Sequence, residues 1–242
     1  MTNVINGDSL IGVANDSVYV SSTGRLISKP SAPTKTIFST AGTGTYTPPS
    51  GCVTYIITLT AGGGGGGGNN FTTGFGGGGG SSGGTAVLTL QTATQTSVFY
   101  TVGGGGAGGL TTPTNGGGGG DSKIETTSGG TLLCTAFHGS GGNAGQNTTS
   151  TAVNGASAAR PGGTGVEFYQ GEHGMPGIGC NGTVINPFGG RGGSGVFTGG
   201  SGKGSSGASQ AGINGGGGSG GGGGAQVGGA GGDGYISIVE YY

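Results

Sequence analysis

The sequence predicts a mainly β protein in which short β-strands are combined with packed polyglycine II helices and protruding loops, without significant α-helix. Three observations predict this class. Of the 242 residues, 72 are Gly and only 6% are charged. Threonine, β-branched and aromatic residues are gathered into short runs in which apolar and polar positions alternate with a period of two. Blocks of consecutive glycines separate these runs.

The composition also excludes other classes. A collagen triple helix needs Gly at every third residue and abundant Pro, whereas this chain has 8 Pro and no sustained Gly-X-Y period. Disordered chains usually carry high charge, whereas the formal net charge here is -1. Such low charge argues against nucleic acid as a partner, and no apolar run is long enough for membrane insertion.

The N-terminal residues 1–36 differ from the remainder of the chain. They contain less glycine, a strand-like patch at Val18–Val20 and a proline-containing break at 29–33. We predict that 1–36 form an attachment segment and that 37–242 form a glycine-rich, receptor-binding domain. Met1 is not followed by a signal peptide, and the 3 Cys make no disulfide framework. We therefore expect synthesis in a host cytoplasm.

Five runs in the glycine-rich part have the alternation of half-buried strands. In the first, Tyr55, Ile57 and Leu59 alternate with threonines and Ile56. The predicted strands are 53–60, 85–90, 97–102, 131–137 and 235–241.

The glycine blocks need a separate physical account. Ordering one glycine costs roughly 0.5–1 kcal/mol more than ordering alanine, so ordered blocks must gain dense hydrogen bonding and close contact. An extended helix with three residues per turn leaves every N–H and C=O pointing sideways, where neighbouring helices can satisfy it. We predict that the blocks pack side by side in this conformation. They are 62–68, 76–80, 103–106, 116–120, 215–218 and 220–224.

Three segments, in order, resemble the glycine-rich domain of bacteriophage tail fibre and tail tip proteins. The first runs from Phe38 to Thr54 (FSTAGTGTYTPPSGCVT), the second from Ser97 to Gly109 (SVFYTVGGGGAGG) and the third from Gly231 to Tyr242 (GGDGYISIVEYY). A looser similarity connects the chain to the polyglycine adhesins of T-even-type phages, although residues 1–36 are short and unlike theirs.

The resemblance implies a virion protein at a tail or fibre tip, whose loops recognise an outer-membrane protein or a surface polysaccharide of a bacterium. It further implies that residues 1–36 bind other tail or fibre proteins, and that the chain is a homo-oligomer, with a trimer favoured over a monomeric cap. Two alternatives remain. One is a structural virion component, such as a head fibre or capsid decoration protein. The other is a non-viral glycine-rich structural protein, which would be expected to carry a secretion signal and more regular repeats.

Loops between the glycine blocks are the expected binding region, because a rigid scaffold commonly presents binding residues on loops. The two richest inserts are 69–75 and 166–188, which we predict to be protruding loops. Their aromatic rings suit sugar stacking and protein contacts, and equally suit the alternative of covering glycine surfaces as a minor core. The candidate receptor-binding residues are Asn70, Phe71, Phe75, Phe168, Tyr169, His173, Phe188 and Phe197.

Enzymatic chemistry is not expected from the polar inventory. There are 2 His, and one of them, His173, lies beside Glu172 and near Cys180. No further ligand or orienting group stands at a recognisable metal-site or triad spacing, which favours His173 as a polar loop residue. The nearest approach to a phosphate-binding loop, at 201–204, lacks a Ser or Thr after Lys203. We therefore predict a binding protein without a metal or another cofactor.

Overall fold

A computed structural model describes residues 18–20, 26–28, 32–71, 74–147, 167–180, 187–196 and 208–242. Within these ranges the chain contains β-strands and no helix, as the sequence predicts. The strands are β1 (Val18–Val20), β2 (Leu26–Ser28), β3 (Thr34–Phe38), β4 (Gly42–Tyr46), β5 (Thr54–Thr60), β6 (Gly74–Phe75), β7 (Thr85–Gln91), β8 (Val98–Val102), β9 (Ser122–Glu125), β10 (Leu132–Ala136), β11 (Glu167–Tyr169), β12 (Gly179–Cys180) and β13 (Tyr235–Tyr241).

Two antiparallel sheets form the conventional part of the fold. The larger has the order β11-β7-β5-β13-β3, and the smaller has the order β10-β9-β8-β4. The pairs β1-β2 and β6-β12 form separate two-stranded ladders. Central strand β5 sets the register of the larger sheet, since Ile57 lies opposite Leu88 on one side and Ile238 on the other. The five predicted strands correspond to β5, β7, β8, β10 and β13.

The hydrophobic core contains side chains from both sheets. Along β5, Tyr55, Ile57 and Leu59 are fully buried, whereas Thr54, Ile56 and Thr58 keep partial exposure. Val98 and Val102 of β8 belong to the same buried cluster, so the two sheets share one core. This is the expected consequence of a period-two pattern, because successive strand side chains point to opposite faces.

Strand β3 begins at Thr34 and pairs with β13 along its full length. The larger sheet therefore includes residues ahead of the predicted boundary at residue 37. The attachment role of residues 1–36 stays a prediction.

Strands of both sheets continue directly into glycine-rich runs, and these runs pack into one body that we call the glycine array. For example, β5 leads into 61–69, and β13 follows 226–234. The runs of the array are 61–69, 76–84, 103–110, 114–121, 137–146, 170–178, 187–195, 208–213, 215–222 and 226–234.

Hydrogen bonds from run 61–69 repeat with a period of three, which is the signature of a helix with three residues per turn. The amides of Gly62, Gly65 and Gly68 donate to run 114–121, at Gly120, Gly117 and Thr114. The amides of Gly63, Gly66 and Asn69 donate to run 226–234, at Gly232, Gly229 and Gln226. The amides of Gly64 and Gly67 donate to run 76–84, at Ser81 and Gly78.

Run 61–69 is thus the centre of a closed ring of six runs. Every N–H and C=O from Gly62 to Gly68 is hydrogen-bonded to a neighbouring run. Each neighbour is also bonded to the next one around the ring, for example through Gly119 N to Gly139 O at 2.9 Å. In cyclic order the six are 114–121, 103–110, 226–234, 215–222, 76–84 and 137–146.

The packing leaves no room for a side chain at any glycine from Gly62 to Gly68 in the central run. A Cβ atom on Gly64 would lie 1.9 Å from the Ser140 carbonyl oxygen, and one on Gly65 would lie 2.0 Å from that of Ala107. Such approaches are consistent with Cα–H···O contacts, worth perhaps 0.5–1 kcal/mol each. The prediction that the glycine blocks are laterally packed, and are not solvated linkers, is confirmed.

The prediction that the whole of 166–188 protrudes as a loop is wrong for the part that the structure describes. Residues 167–169 are strand β11, and 170–178 form a run on the surface of the array. Gly171, Gly174 and Gly177 face run 76–84, where a Cβ on Gly174 would lie 2.0 Å from the Gly79 carbonyl oxygen. Glycine at every third position lets the run pack on the array while the residues between the glycines stay outside.

Candidate functional site

The glycine array has two ends with different construction. At the end that we call the sheet end, runs such as 61–69, 103–110 and 226–234 join the strands of the two sheets, and a turn at 213–215 connects two further runs. At the opposite end, which we call the loop end, the runs are connected by turns or finish. The turns meet there because the contacts Gly68–Thr114, Asn69–Gln226, Phe75–Gln146 and Ile178–Phe188 all lie at that level of the array.

A buried amide organises part of the loop end. Asn69 is fully buried, and its Nδ2 donates hydrogen bonds to the carbonyl oxygens of Gly222 (2.6 Å) and Phe71 (3.1 Å). Its Oδ1 accepts from Phe71 N at 3.2 Å. Its backbone exchanges two 2.8 Å hydrogen bonds with Gln226. Asn69 therefore holds the chain that carries Asn70 and Phe71 against the turn at 222–226.

A second part of the loop end is a small ladder. Phe75 exchanges backbone hydrogen bonds with Gln146 on one side (2.9 and 3.2 Å) and pairs with Gly179 on the other. Ile178 and Phe188 form the next bridge, through bonds of 2.9 and 3.0 Å. Ile178 is 62% exposed and Phe188 41% exposed, so apolar surface is presented at this end.

The structure separates the candidate residues into two groups. Asn70, Phe71, Phe75 and Phe188 lie at the loop end: Asn70 and Phe188 are exposed, and Phe71 and Phe75 are half-buried. Phe197 lies outside the described residues.

The second group lies at the sheet end and along the array. Phe168 and Tyr169 are in β11, opposite Ala86 and Thr85 of β7. His173 is exposed on run 170–178. At about 3.1 Å per residue this run spans about 25 Å, so Tyr169 is far from Phe188 although both belong to one predicted insert.

The described turns of the loop end carry no charged side chain. Their residues carry amides, threonine hydroxyls and apolar side chains, and none is Asp, Glu, Lys, Arg or His. The residues concerned are 69–71, 74–76, 110–115, 145–147, 177–180, 187–189 and 222–228. Such a surface can offer ring stacking and neutral hydrogen bonds, and it offers no ion pair.

A family model described as a glycine-rich domain matches residues 39–242. The chain belongs to this glycine-rich domain family. The matched region contains the four-stranded sheet, the whole glycine array and the described loop-end turns. No curated protein matches the chain.

A histidine and an aspartate are in contact where run 137–146 begins and run 114–121 ends. His138 Nδ1 is 2.7 Å from Asp121 Oδ1, which also accepts the His138 backbone N–H. Cys134 is buried, and burial raises the pKa of its thiol to about 11, which keeps it protonated at neutral pH. Within the described residues no group of three or more His, Cys, Asp or Glu is placed to hold a metal ion.

At the sheet end, the Tyr169 hydroxyl donates a hydrogen bond to Glu167 Oε2 at 3.2 Å, and this bond raises the pKa of Tyr169. Across all the residues that the structure describes, no helix is long and apolar enough to cross a membrane.

Two features of the site were not found from the sequence. The sequence pattern places Asn69 as the first residue of a loop, whereas its amide continues the three-residue spacing of Gly63 and Gly66. The glycine spacing of 171, 174 and 177 was also overlooked, and it marks run 170–178 as part of the array.

Proposed function

We propose that this chain is a bacteriophage virion protein, a receptor-binding tail fibre or tail tip adhesin that recognises a bacterial cell-surface molecule through loops on a rigid glycine-rich scaffold. One observation carries the proposal. The turns of the loop end, with exposed Ile178 and Phe188, are held on an array whose central run is completely hydrogen-bonded. Rigid presentation favours binding because little conformational entropy is lost on contact.

The resemblance of three ordered segments to phage tail fibre and tail tip proteins supports the same proposal. In this role residues 1–36 attach the domain to other virion proteins, and several copies, favoured as a trimer, turn weak contacts into firm attachment. The location is the tail or fibre tip of the virion, and the partner is an outer-membrane protein or a surface polysaccharide.

Fluorescently labelled protein, incubated with a panel of bacterial strains, tests the proposal. We expect staining of susceptible strains and none of receptor-deficient mutants selected from them. Phe188→Ala should weaken staining at least tenfold, whereas Phe137→Ala, which removes an exposed ring at the sheet end, should leave it within twofold. Staining of no strain would favour the alternative of a structural virion component without host binding.

The salt dependence of staining supplies an independent readout. Because the described loop-end turns carry no charge, raising the ionic strength from about 0.01 to 0.15 M should change staining less than twofold. A steep loss over this range would contradict binding through these turns.

A further inference from the structure

The ring of Phe75 lies flat on the backbone of Gly179. A Cβ atom on Gly179 would be 2.5 Å from Cδ1 and from Cε1 of this ring, and 2.7 Å from Cγ. Three adjacent ring atoms at nearly equal distance mean that a ring face, and not its edge, covers the glycine. Since one face is against Gly179 and Phe75 is still partly exposed, a ligand would approach the other face.

The backbone that carries this ring is fixed from both sides. Phe75 exchanges two hydrogen bonds with Gln146 and is paired with Gly179 in the β6-β12 ladder. The preceding residue, Gly74, has φ of +94°, a conformation that residues with side chains rarely adopt. The ring is therefore oriented before any ligand binds, which lowers the entropic cost of stacking.

An exposed amide accompanies the ring. Gln146 lies directly opposite Phe75 in an antiparallel bridge, and directly opposed residues place their side chains on the same face, with Cβ atoms about 4.5–5.5 Å apart. The Gln146 side chain is exposed and offers both a donor and an acceptor. Phe75 and Gln146 together form what we call the Phe75 platform.

We infer that the Phe75 platform binds one uncharged pyranose unit of a bacterial surface polysaccharide. The C–H face of a pyranose is weakly positive and stacks on the negative face of an aromatic ring, while its hydroxyls hydrogen-bond to an amide. The described loop-end turns favour a neutral sugar over an acidic or amino sugar, because they offer no counter-charge to compensate desolvation. This inference deepens the proposed function and rests on it for the source of the sugar.

Solution NMR of the full chain with ring-labelled phenylalanine tests the site directly. The probes are neutral oligosaccharides of glucose, galactose and mannose, with oligogalacturonate as the anionic control. We expect at least one neutral probe to shift the Phe75 resonances and oligogalacturonate to leave them unchanged. Neutral probes that leave Phe75 unshifted, or that bind Phe75→Ala equally well, would overturn the inference.

Variants separate ring stacking from loss of folding. Phe75→Ala removes the ring, whereas Gly179→Ala keeps the ring but displaces it. Each substitution should weaken sugar binding at least tenfold. Phe75→Trp, which supplies another aromatic ring, should bind the sugar as wild type does. Phe137→Ala, which removes a 40% exposed ring at the sheet end, is the matched control and should bind as wild type. Equal binding by Gly179→Ala, with unchanged thermal unfolding, would also overturn the inference.

Treated cells distinguish failure of this inference from failure of the adhesin proposal. Periodate, which cleaves sugar diols, should abolish staining of susceptible cells, and surface proteolysis should spare it. Staining that survives periodate but not proteolysis would retain the adhesin function and reject the sugar. If no strain is stained, the adhesin proposal fails and the NMR titration alone decides the site.

Discussion

The Tyr46 hydroxyl of β4 donates a hydrogen bond to the Glu240 carboxylate of β13, and so connects the two sheets. Glu240 is 2% exposed, and its carboxylate also accepts hydrogen bonds from Thr34 and, at 3.2 Å, from Thr36 of β3. Burial, followed by the hydrogen bond to Glu240, raises the pKa of Tyr46 well above its usual value. The buried carboxylate is therefore compensated by hydroxyl donors from both sheets.

Removing the Tyr46 hydroxyl should destabilise the packing of the two sheets. Tyr46→Phe deprives a buried carboxylate of one donor, and we expect the free energy of unfolding to fall by about 1.5–3 kcal/mol. Urea denaturation at pH 7 measures the change. Tyr242→Phe, which removes a hydroxyl in exposed contact with Thr34, is the control and should cost less than about 0.5 kcal/mol. Equal free energies of unfolding for the two variants would show that the Tyr46 hydroxyl is not needed to compensate the buried Glu240 carboxylate.

Substitution by alanine should have different effects on stability at two glycines of run 103–110. A Cβ on Gly106 would lie 2.1 Å from the Gly117 carbonyl oxygen, whereas one on Gly104 meets its nearest atom, Ala41 Cβ, at 3.6 Å. Gly106→Ala should therefore destabilise the protein by about 3 kcal/mol or prevent folding. Gly104→Ala should be neutral or stabilise it by about 0.4–1 kcal/mol. Thermal unfolding of both variants measures this, and similar melting temperatures would contradict the packed array.

Amide hydrogen exchange should be slow in the central run of the array and fast in the exposed turns. Gly62 to Gly68 are buried, and their amides donate hydrogen bonds to three of the six surrounding runs, so these amides should exchange only by large-scale unfolding. The exposed turn residues Thr112 and Ala225 should exchange within seconds to minutes. Exchange followed by mass spectrometry or NMR checks this. Rapid exchange throughout 62–68 would refute the ring of six runs in solution.

Stability should decrease in alkaline solution. Burial raises the pKa of Cys134 from 9.0 to about 11, so between these values the unfolded chain releases a proton that the folded chain keeps. This contribution is fully present below pH 9.0 and is lost as pH rises through about 11, with a maximal slope of about 1.4 kcal/mol per pH unit. Denaturation at several pH values should show a shallower decline for Cys134→Ala than for wild type. Parallel curves would exclude the thiol as the source.

The buried amide of Asn69 should control the order of the loop end. Asn69→Ala leaves the Gly222 and Phe71 carbonyl oxygens without their donor, and should lower the free energy of unfolding by about 1–3 kcal/mol. It should also accelerate amide exchange near 222–226. Asn70→Ala removes an exposed amide one residue later and should change stability by less than about 0.5 kcal/mol. A larger effect of Asn70→Ala would contradict this assignment.

The sequence predicts the strands because their side chains alternate. Tyr55, Ile57 and Leu59 face the core and their neighbours do not, so a local pattern is sufficient. The shorter strands β3, β4 and β11 were missed because they lack that regular alternation, and their place is set by pairing with β13, β8 and β7. Of the candidate residues, Phe75 and Phe188 both lie at the loop end, while Phe168 and Tyr169 lie about 25 Å away along run 170–178. The receptor-binding role of these residues stays a prediction.

By itself the sequence determined that this is a β protein with a side-chain-free, laterally bonded body, because composition, alternation and the cost of ordering glycine are local properties. Only the tertiary structure decided which runs are neighbours and which turns share an end. Runs of glycine are nearly identical to one another and carry no side chains that could specify a partner. Their order is imposed by the strands that continue into them and by the turns between them, such as the pairing of Phe75 with Gln146 and Gly179.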